Sequence, residues 1–114
     1  MNDRFSKTPE PPYYAVIFTN KLSDDAAGYQ QMGTKMFEMA SKEPGCLGAE
    51  STRDTEGIGI TVSYWKDEES IAAWKAKSEH LVAQQLGIKR WYEHYELRVA
   101  KVERAYSGPK DRSV

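Results

Sequence analysis

Residues 13–20 read YYAVIFTN, a run of β-branched and aromatic residues that predicts a β-strand. Successive side chains of a strand point to opposite faces. Both faces of this strand are apolar, with Tyr14, Val16 and Phe18 on one and Tyr13, Ala15 and Ile17 on the other. A strand of this kind needs cover on both sides, and the rest of the chain has to account for that cover.

A helix and a hairpin are predicted directly after this strand. Apolar residues recur at spacings of three and four from Tyr29 to Ala40, which indicates a helix that ends before Pro44-Gly45. Residues 46–54 and 58–65 both have strand composition. They flank a turn that is strongest at Gly57, so the two segments are expected to pair as a hairpin.

Two further helices and a last strand complete the pattern. Asp67 is a suitable N-cap for a short helix, and Ser78 for another after a break in the chain. Residues 93–106 alternate again as a strand. The order β-α-β-β-α-α-β predicts an α+β, ferredoxin-like protomer whose four-stranded antiparallel sheet carries helices on one face.

The predicted domain occupies residues 13–106. It lies between a flexible N-terminal arm at residues 1–12, which is rich in proline, and a flexible polar C-terminal tail at residues 107–114. Helices on one face leave the side of Tyr13, Ala15 and Ile17 without cover. The chain holds no second sheet, so we expect a homodimer that packs sheet on sheet.

Composition excludes several classes of partner. The 114 residues include 16 Lys+Arg and 17 Asp+Glu, a net charge of −1 that argues against nucleic acid. No window approaches the roughly 20 apolar residues of a membrane span, and no membrane partner is expected. Cys46 is the single cysteine, which excludes an internal disulfide and a cysteine-rich zinc site. A cytoplasmic location is the simplest expectation.

Common catalytic and phosphate-binding motifs are missing from the sequence. Gly57-Ile-Gly59 supplies two glycines of a dinucleotide motif but opens a strand and lacks the third. The segment Glu93–Glu96 could bind a metal ion or could be a solvated strand end. Cys46 could be a nucleophile or a small buried thiol. Neither pattern is specific enough to identify a site.

The aromatic residues allow two interpretations. They could form the core, or they could line a flat pocket for a planar aromatic ligand. Two amides favour the pocket: Asn20 continues the row of Val16 and Phe18, and Gln84 lies in the apolar line of its predicted helix. Buried amides need hydrogen-bond partners or a ligand. The alternative is that each amide ends its element and contacts water.

His80 is the candidate general base. Its ordinary pKa is near 6.5, and its predicted place near a helix start favours the neutral ring. The alternative is an exposed histidine beside the cap. A break near Ser78 would bring His80 next to Trp74 of the preceding helix, and we expect both to line one cavity with Asn20.

Three segments together resemble the antibiotic biosynthesis monooxygenase (ABM) superfamily. They are the strand YYAVIFTN followed by Lys21-Leu22, the turn EPGCLG at 43–48, and the stretch ITVSYWKDEESIAAWKAKSEH at 60–80. The resemblance covers about residues 13–106 and implies a dimeric α+β barrel of ferredoxin-like protomers. That architecture agrees with the order worked out above from the residues alone.

The resemblance implies one of two chemistries. One branch of the superfamily oxidises polycyclic phenols or anthrones with dioxygen and without metal or flavin. The other branch binds and degrades heme with an asparagine, a tryptophan and a histidine, which correspond to Asn20, Trp74 and Gln84 of this sequence. Glutamine is a poor iron ligand, so no cofactor is expected and heme is the alternative.

The leading hypothesis is therefore a cofactor-independent monooxygenase-like protein that oxidises a planar phenolic or quinone-type small molecule with dioxygen. His80, Asn20 and Trp74 are the predicted catalytic residues. The predicted substrate-binding residues are Tyr29, Gln84, Tyr64 and Trp91. The alternatives are a heme-binding or heme-degrading monooxygenase and a non-catalytic dimeric binding or stress module.

Overall fold

The described part of the chain forms four strands and two helices. The computed structural model describes residues 4–24, 29–84 and 91–109, the side chains at 29, 30, 32 and 81–84 excepted. The elements in chain order are β1 Tyr13–Leu22, α1 Tyr29–Ser41, β2 Cys46–Arg53, β3 Ile58–Trp65, α2 Glu68–Gln84 and β4 Tyr92–Val102. The strands form one sheet in the order β2-β3-β1-β4, with every neighbouring pair antiparallel.

This topology confirms the predicted ferredoxin-like α+β fold. The hairpin is confirmed as well, because β2 pairs with β3 across the turn at residues 54–57. The Asp54 carboxylate accepts the backbone N–H groups of Glu56 and Ile58, each at 2.9 Å. Gly57 adopts φ of 90°, a left-handed conformation that glycine adopts without steric cost.

The predicted break near Ser78 is wrong, because α2 runs without interruption from Glu68 to Gln84. Asp67 does cap this helix, since its Oδ1 accepts the N–H of Ser70 at 2.8 Å. The Ser78 hydroxyl instead donates to the carbonyl of Lys75 at 3.0 Å, a bond that serine makes within a helix. The rest of the predicted third helix, at 85–90, lies outside the described residues.

Strand register divides the sheet into two faces. The Tyr14 face carries the β1 residues Tyr14, Val16, Phe18 and Asn20 together with Trp65 of β3 and Tyr95, Leu97 and Val99 of β4. The Tyr13 face carries Tyr13, Ala15 and Ile17 together with Ile58, Ile60, Val62 and Tyr64 of β3. Trp65 is the most buried side chain described, with 1% of its surface exposed.

Part of the predicted N-terminal arm contacts the Tyr13 face. The Ser6 backbone N–H donates to Glu50 Oε2 at 2.9 Å, and the Ser6 hydroxyl donates to the carbonyl of Ala49 at 3.1 Å. The hydroxyls of Thr8 and Tyr13 are hydrogen-bonded at 2.9 Å. These bonds attach residues 6–8 to β1 and β2, while the domain boundary at residue 12 stays a prediction.

Candidate functional site

A buried amide marks one end of the Tyr14 face. Asn20 is 3% exposed, although it is polar and lies near the end of β1. Its Oδ1 accepts a hydrogen bond from Arg53 Nη2 at 2.7 Å. Arginine can only donate, so this contact fixes which side of the amide is oxygen. The other side, Nδ2, is buried and has no hydrogen-bond partner among the described residues.

Arg53 reaches Asn20 because a glycine lies between them. Gly59 of β3 pairs with Asn20 on one side and with Arg53 on the other. The guanidinium crosses the backbone of Gly59, where an added Cβ would lie 2.5 Å from Arg53 Cζ. Its Nη1 donates to the carbonyl of Gly57 at 2.6 Å. The hairpin turn therefore holds the Arg53 fork against the Asn20 amide.

Three aromatic rings lie on the same face as Asn20. The ring centroid of Phe18 lies 5.4 Å from that of Tyr92 and 5.6 Å from that of Tyr95. The centroids of the two tyrosine rings are 6.1 Å apart. Tyr95 is also the β4 register partner of Asn20. Residues three apart in a regular strand face opposite ways. A register shift at Lys21/Leu22 allows Tyr92 to join Tyr95 at Phe18.

An open apolar surface extends from these rings along β4. Tyr95, Leu97 and Val99 are 42%, 47% and 47% exposed, and all three belong to the Tyr14 face. Their neighbours His94, Glu96 and Arg98 belong to the Tyr13 face. Half-exposed apolar residues in one row form a surface that a flat apolar molecule can cover.

The structure does not bring His80 beside Trp74, as the predicted break required. The half-buried stripe of α2 includes Ile71, Trp74 and Ser78, at helical spacings of three and four. His80 is exposed and lies six positions beyond Trp74, which in an unbroken helix is about 120° around the axis. The roles assigned to Trp74 and His80 stay predictions.

Tyr64 lies on the opposite face of the sheet from Asn20. Its ring packs edge-on against Tyr13 at 5.9 Å, and its hydroxyl donates to Glu50 Oε1 at 2.6 Å. Burial, followed by this hydrogen bond and the charge of Glu50, raises the pKa of Tyr64. Tyr64 therefore belongs to a different polar cluster from Asn20.

The other predicted binding residues are described only in part. Trp91 is 5% exposed and directly precedes Tyr92 of β4. Its carbonyl accepts the N–H of Ser23 at 2.8 Å, a bond that fixes the end of β1 against the start of β4. The side chains of Tyr29 and Gln84 lie outside those that the structure describes.

The remaining candidates from the sequence do not join the Asn20 site. His94 Nε2 is 2.8 Å from Glu96 Oε2, and both belong to the Tyr13 face. The half-buried Cys46 thiol lies 3.9 Å from the carbonyl of Gly48. An open depression of about 260 Å³ at the start of α2 is lined by residues such as Glu43, Lys66 and Asp67, and by none of the predicted site residues.

Histidine-ligated heme does not fit the donors on the Tyr14 face. His94 is on the Tyr13 face, and His80 is exposed and outside the half-buried stripe of α2. Position 84, where the heme branch has its histidine, carries glutamine. Protein ligands of heme iron are usually histidine, cysteine, methionine or tyrosine. We therefore derive no chemistry through heme.

The site combines a donor, a cation and an aromatic surface. Asn20 Nδ2 and the Arg53 guanidinium favour an oxygen atom with negative charge. The rings of Phe18, Tyr92 and Tyr95 favour a flat aromatic molecule that stacks or packs edge-on. These groups are chemically suited to a planar molecule that carries a phenolic or ketone oxygen, once Asn20 Nδ2 is opened to it.

This fold and the sequence place the chain in a known family. A sequence model of the family described as "antibiotic biosynthesis monooxygenase" matches residues 13–86, more than half of the chain. The chain belongs to the antibiotic biosynthesis monooxygenase (ABM) family. It is 49% identical over 104 residues to the uncharacterized protein YqjZ of Bacillus subtilis (strain 168), with 91% of both chains covered.

Solved structures share the fold at low sequence identity. SnoaB, a cofactor-independent oxygenase from Streptomyces nogalater, superimposes with a TM-score of 0.67 at 9% identity over 82% of this chain and 95% of SnoaB. PA3566 from Pseudomonas aeruginosa superimposes with a TM-score of 0.65 at 14% identity, over 86% of this chain and 99% of the PA3566 chain. At these identities the similarity establishes the fold alone.

No helix among the described residues is long and apolar enough to cross a membrane. Within the same residues, no group of three or more histidine, cysteine, aspartate or glutamate side chains gathers in a metal-binding arrangement.

Proposed function

We propose that this protein binds a planar phenolic or quinone-type small molecule on the Tyr14 face and oxidises it with dioxygen as a cofactor-independent monooxygenase. One observation carries the proposal. Asn20 is buried, and its Nδ2 has no partner among the described residues, on the same face as the Phe18, Tyr92 and Tyr95 rings. An unpaired buried donor costs about 1–3 kcal/mol, which a ligand oxygen would recover.

The chemistry needs a substrate anion and a site that stabilises it. An anthrone or phenol that loses a proton becomes electron-rich and can reduce dioxygen directly. In the net reaction of an anthrone, its methylene carbon loses two hydrogens and gains one oxygen atom. The second oxygen atom leaves with those hydrogens as water. The protein has to supply a base, a hydrogen-bond donor to the anion and an aromatic surface that excludes water.

Two groups have to move or act for this reaction. Nδ2 of Asn20 is closed to solvent in the free chain. We assign its opening to a rotation of Tyr95, which is 42% exposed and is the register partner of Asn20. His80 remains the base in the proposal because imidazole is the side chain that most often serves as a general base, although α2 carries it outside its half-buried stripe. The description of SnoaB as a cofactor-independent oxygenase supports chemistry without a cofactor in this fold.

A homodimer is part of the proposal. The expectation that Tyr13 and Ala15 lack cover is wrong, because they are 4% and 5% exposed within the single chain. The open part of the Tyr13 face is Ile58 at 38% and Ile60 at 42% exposure, next to Val62 and Ile17. Two such faces packed together would bury at least ~1,200 Å². Light scattering should give twice the chain mass of 13.0 kDa. Ile60→Lys should halve that mass and Leu97→Lys, on the Tyr14 face, should not. A wild-type chain that stays monomeric at micromolar concentration contradicts this arrangement.

Oxygen consumption tests the activity. A panel of anthrones and polycyclic hydroquinones is incubated with the protein in an oxygen electrode, and the protein-free autoxidation rate is subtracted. We expect one dioxygen consumed per anthrone, with the quinone as product. His80→Ala should lower turnover about 10²-fold, the low end for a general base, and Trp74→Ala should chiefly weaken binding. His94→Ala, which changes the other histidine, should leave turnover unchanged.

Other results would favour the alternatives. Saturable binding that needs Asn20, without turnover on any substrate, would indicate a non-catalytic binding module. A sharp one-to-one Soret endpoint with hemin at low-micromolar affinity would favour the heme alternative. Equal losses in His80→Ala and His94→Ala would contradict the assignment of His80 as base.

A further inference from the structure

We propose that Arg53 is the positioning residue of this site: it holds the Asn20 amide so that Nδ2 meets the ligand, and its charge selects ligands whose bound oxygen is ionised. The inference rests on the proposed binding of a planar molecule at Asn20. It narrows the ligand class to phenolates and to enolates of ring ketones. Nothing in the sequence patterns pointed to Arg53, which ends β2 directly before the hairpin turn.

The contact between Arg53 and Asn20 gives the amide one orientation. Nη2 of Arg53 donates to Asn20 Oδ1 at 2.7 Å, and a flipped amide would set two donors against each other. Nη1 is held at the same time by the Gly57 carbonyl at 2.6 Å. Because both hydrogen bonds hold the planar Arg53 guanidinium in place, it cannot rotate toward Asn20 Nδ2. The amide nitrogen is therefore directed away from the guanidinium.

Gly59 makes this approach possible. It is the register partner of both Asn20 and Arg53, and the guanidinium occupies the space that a side chain would take. An added Cβ would lie 2.5 Å from Arg53 Cζ and 2.6 Å from Nη2. The backbone at Gly59 does not need positive φ, so alanine is compatible with the strand. Gly59→Ala should displace the guanidinium and leave its charge in the chain.

The guanidinium also determines which form of the ligand is favoured. Arginine stays protonated throughout the accessible pH range. A ligand oxygen on Asn20 Nδ2 lies across the amide from the guanidinium, and a positive charge on that side favours the ionised form of an acid. When the oxygen of a phenol accepts a hydrogen bond from Asn20 Nδ2, this positive charge favours its ionised form. The ligand would therefore be bound as the phenolate. A neutral planar hydrocarbon of the same size gains nothing from Arg53.

The test uses 4-nitro-1-naphthol, whose phenol and phenolate forms absorb at different wavelengths. The pH is fixed at the pKa of the free probe, where the two forms are equal. We expect wild-type protein to bind the probe with the phenolate favoured at least about tenfold. Arg53→Met should abolish this preference, and Arg53→Lys should retain part of it. Arg98→Met, an exposed arginine on the Tyr13 face, should match wild type.

Circular dichroism shows whether Arg53→Met folds. If it does not fold, Gly59→Ala serves as the test variant in its place. It should weaken binding and reduce the phenolate preference, although Arg53 is still present. If Arg53→Met and Gly59→Ala both bind with wild-type affinity and wild-type phenolate preference, while Asn20→Asp does not bind, the inference is overturned and the proposed function stands. If wild-type protein does not bind the probe, the proposed function is overturned and this inference falls with it.

Discussion

Two polar clusters lie on opposite faces of the same sheet, and they differ in how completely hydrogen bonds satisfy them. On the Tyr13 face, Glu50 accepts from the Tyr64 hydroxyl at 2.6 Å and from the Ser6 N–H at 2.9 Å. On the Tyr14 face, Asn20 accepts from Arg53 at 2.7 Å, but its Nδ2 has no partner among the described residues.

We interpret the Glu50 cluster as stabilising, and the Asn20 cluster is the proposed binding site. Both oxygens of Glu50 are used, and they join the N-terminal segment to β2 and β3. A cluster with satisfied partners contributes to folding. Asn20 retains a buried donor that has no partner among the described residues, a feature that is rare in native interiors and usually has a functional reason. We therefore expect changes at Asn20 to act on ligand binding and changes at Glu50 to act on stability.

Asn20→Asp should give the largest effect, on binding alone. The substitution keeps the acceptor for Arg53 but replaces the unpaired N–H₂ group with a carboxylate oxygen, which repels an ionised ligand. A hydrogen bond to a charged group is worth about 1.5–3 kcal/mol, so affinity for the naphtholate probe should fall roughly 100-fold. The melting temperature should stay level or rise, because the new carboxylate pairs with Arg53. A loss of affinity below threefold would contradict the comparison.

Local patterns were sufficient to predict most of the fold. The β-branched and aromatic composition of residues 13–20, the turn at Gly57 and the cap at Asp67 are local signals, and the structure has all three features. Ser78 was misleading because serine can cap a helix or bond back within one, and the preceding helical turn determines which.

The site depended on non-local geometry that a single sequence does not contain. Arg53 is an ordinary charged strand residue until the register sets Gly59 between it and Asn20. Tyr92 joins Phe18 and Tyr95 only because the β1–β4 register shifts at Lys21/Leu22. Asn20 could be predicted, because alternate residues of a strand share a face and this places Asn20 on the Tyr14 face. The hairpin register across residues 54–57 was the one signal that could have found Arg53.

Glu50→Ala should give a smaller effect, on stability alone. Its removal leaves the Tyr64 hydroxyl and the Ser6 N–H without their acceptor. Each unsatisfied part-buried donor costs about 1 kcal/mol, so the free energy of unfolding should fall by ~2 kcal/mol in urea titrations. Glu96→Ala, an exposed glutamate paired with His94, is the matched control and should cost under ~0.5 kcal/mol. Weaker binding of the naphtholate probe by Glu50→Ala would contradict the expectation that Glu50 acts on stability alone.

Tyr64→Phe should give the smallest effect at neutral pH and the clearest dependence on pH. Burial and the bond to Glu50 raise the pKa of Tyr64 above the value of about 10 for the unfolded chain. The neutral hydroxyl is therefore favoured in the folded state. The stability it confers is complete below pH ~10 and is lost as the pH rises above that value, because the unfolded chain then releases the proton first. At pH 7 the variant should lose ~1 kcal/mol. Urea midpoints measured from pH 8 to pH 11 should show this difference shrinking above pH ~10, as wild type weakens faster than the variant. If the urea midpoints of the two proteins fall in parallel, the folded state does not hold Tyr64 neutral through Glu50. The polar cluster on the Tyr13 face would then not be the satisfied network described above.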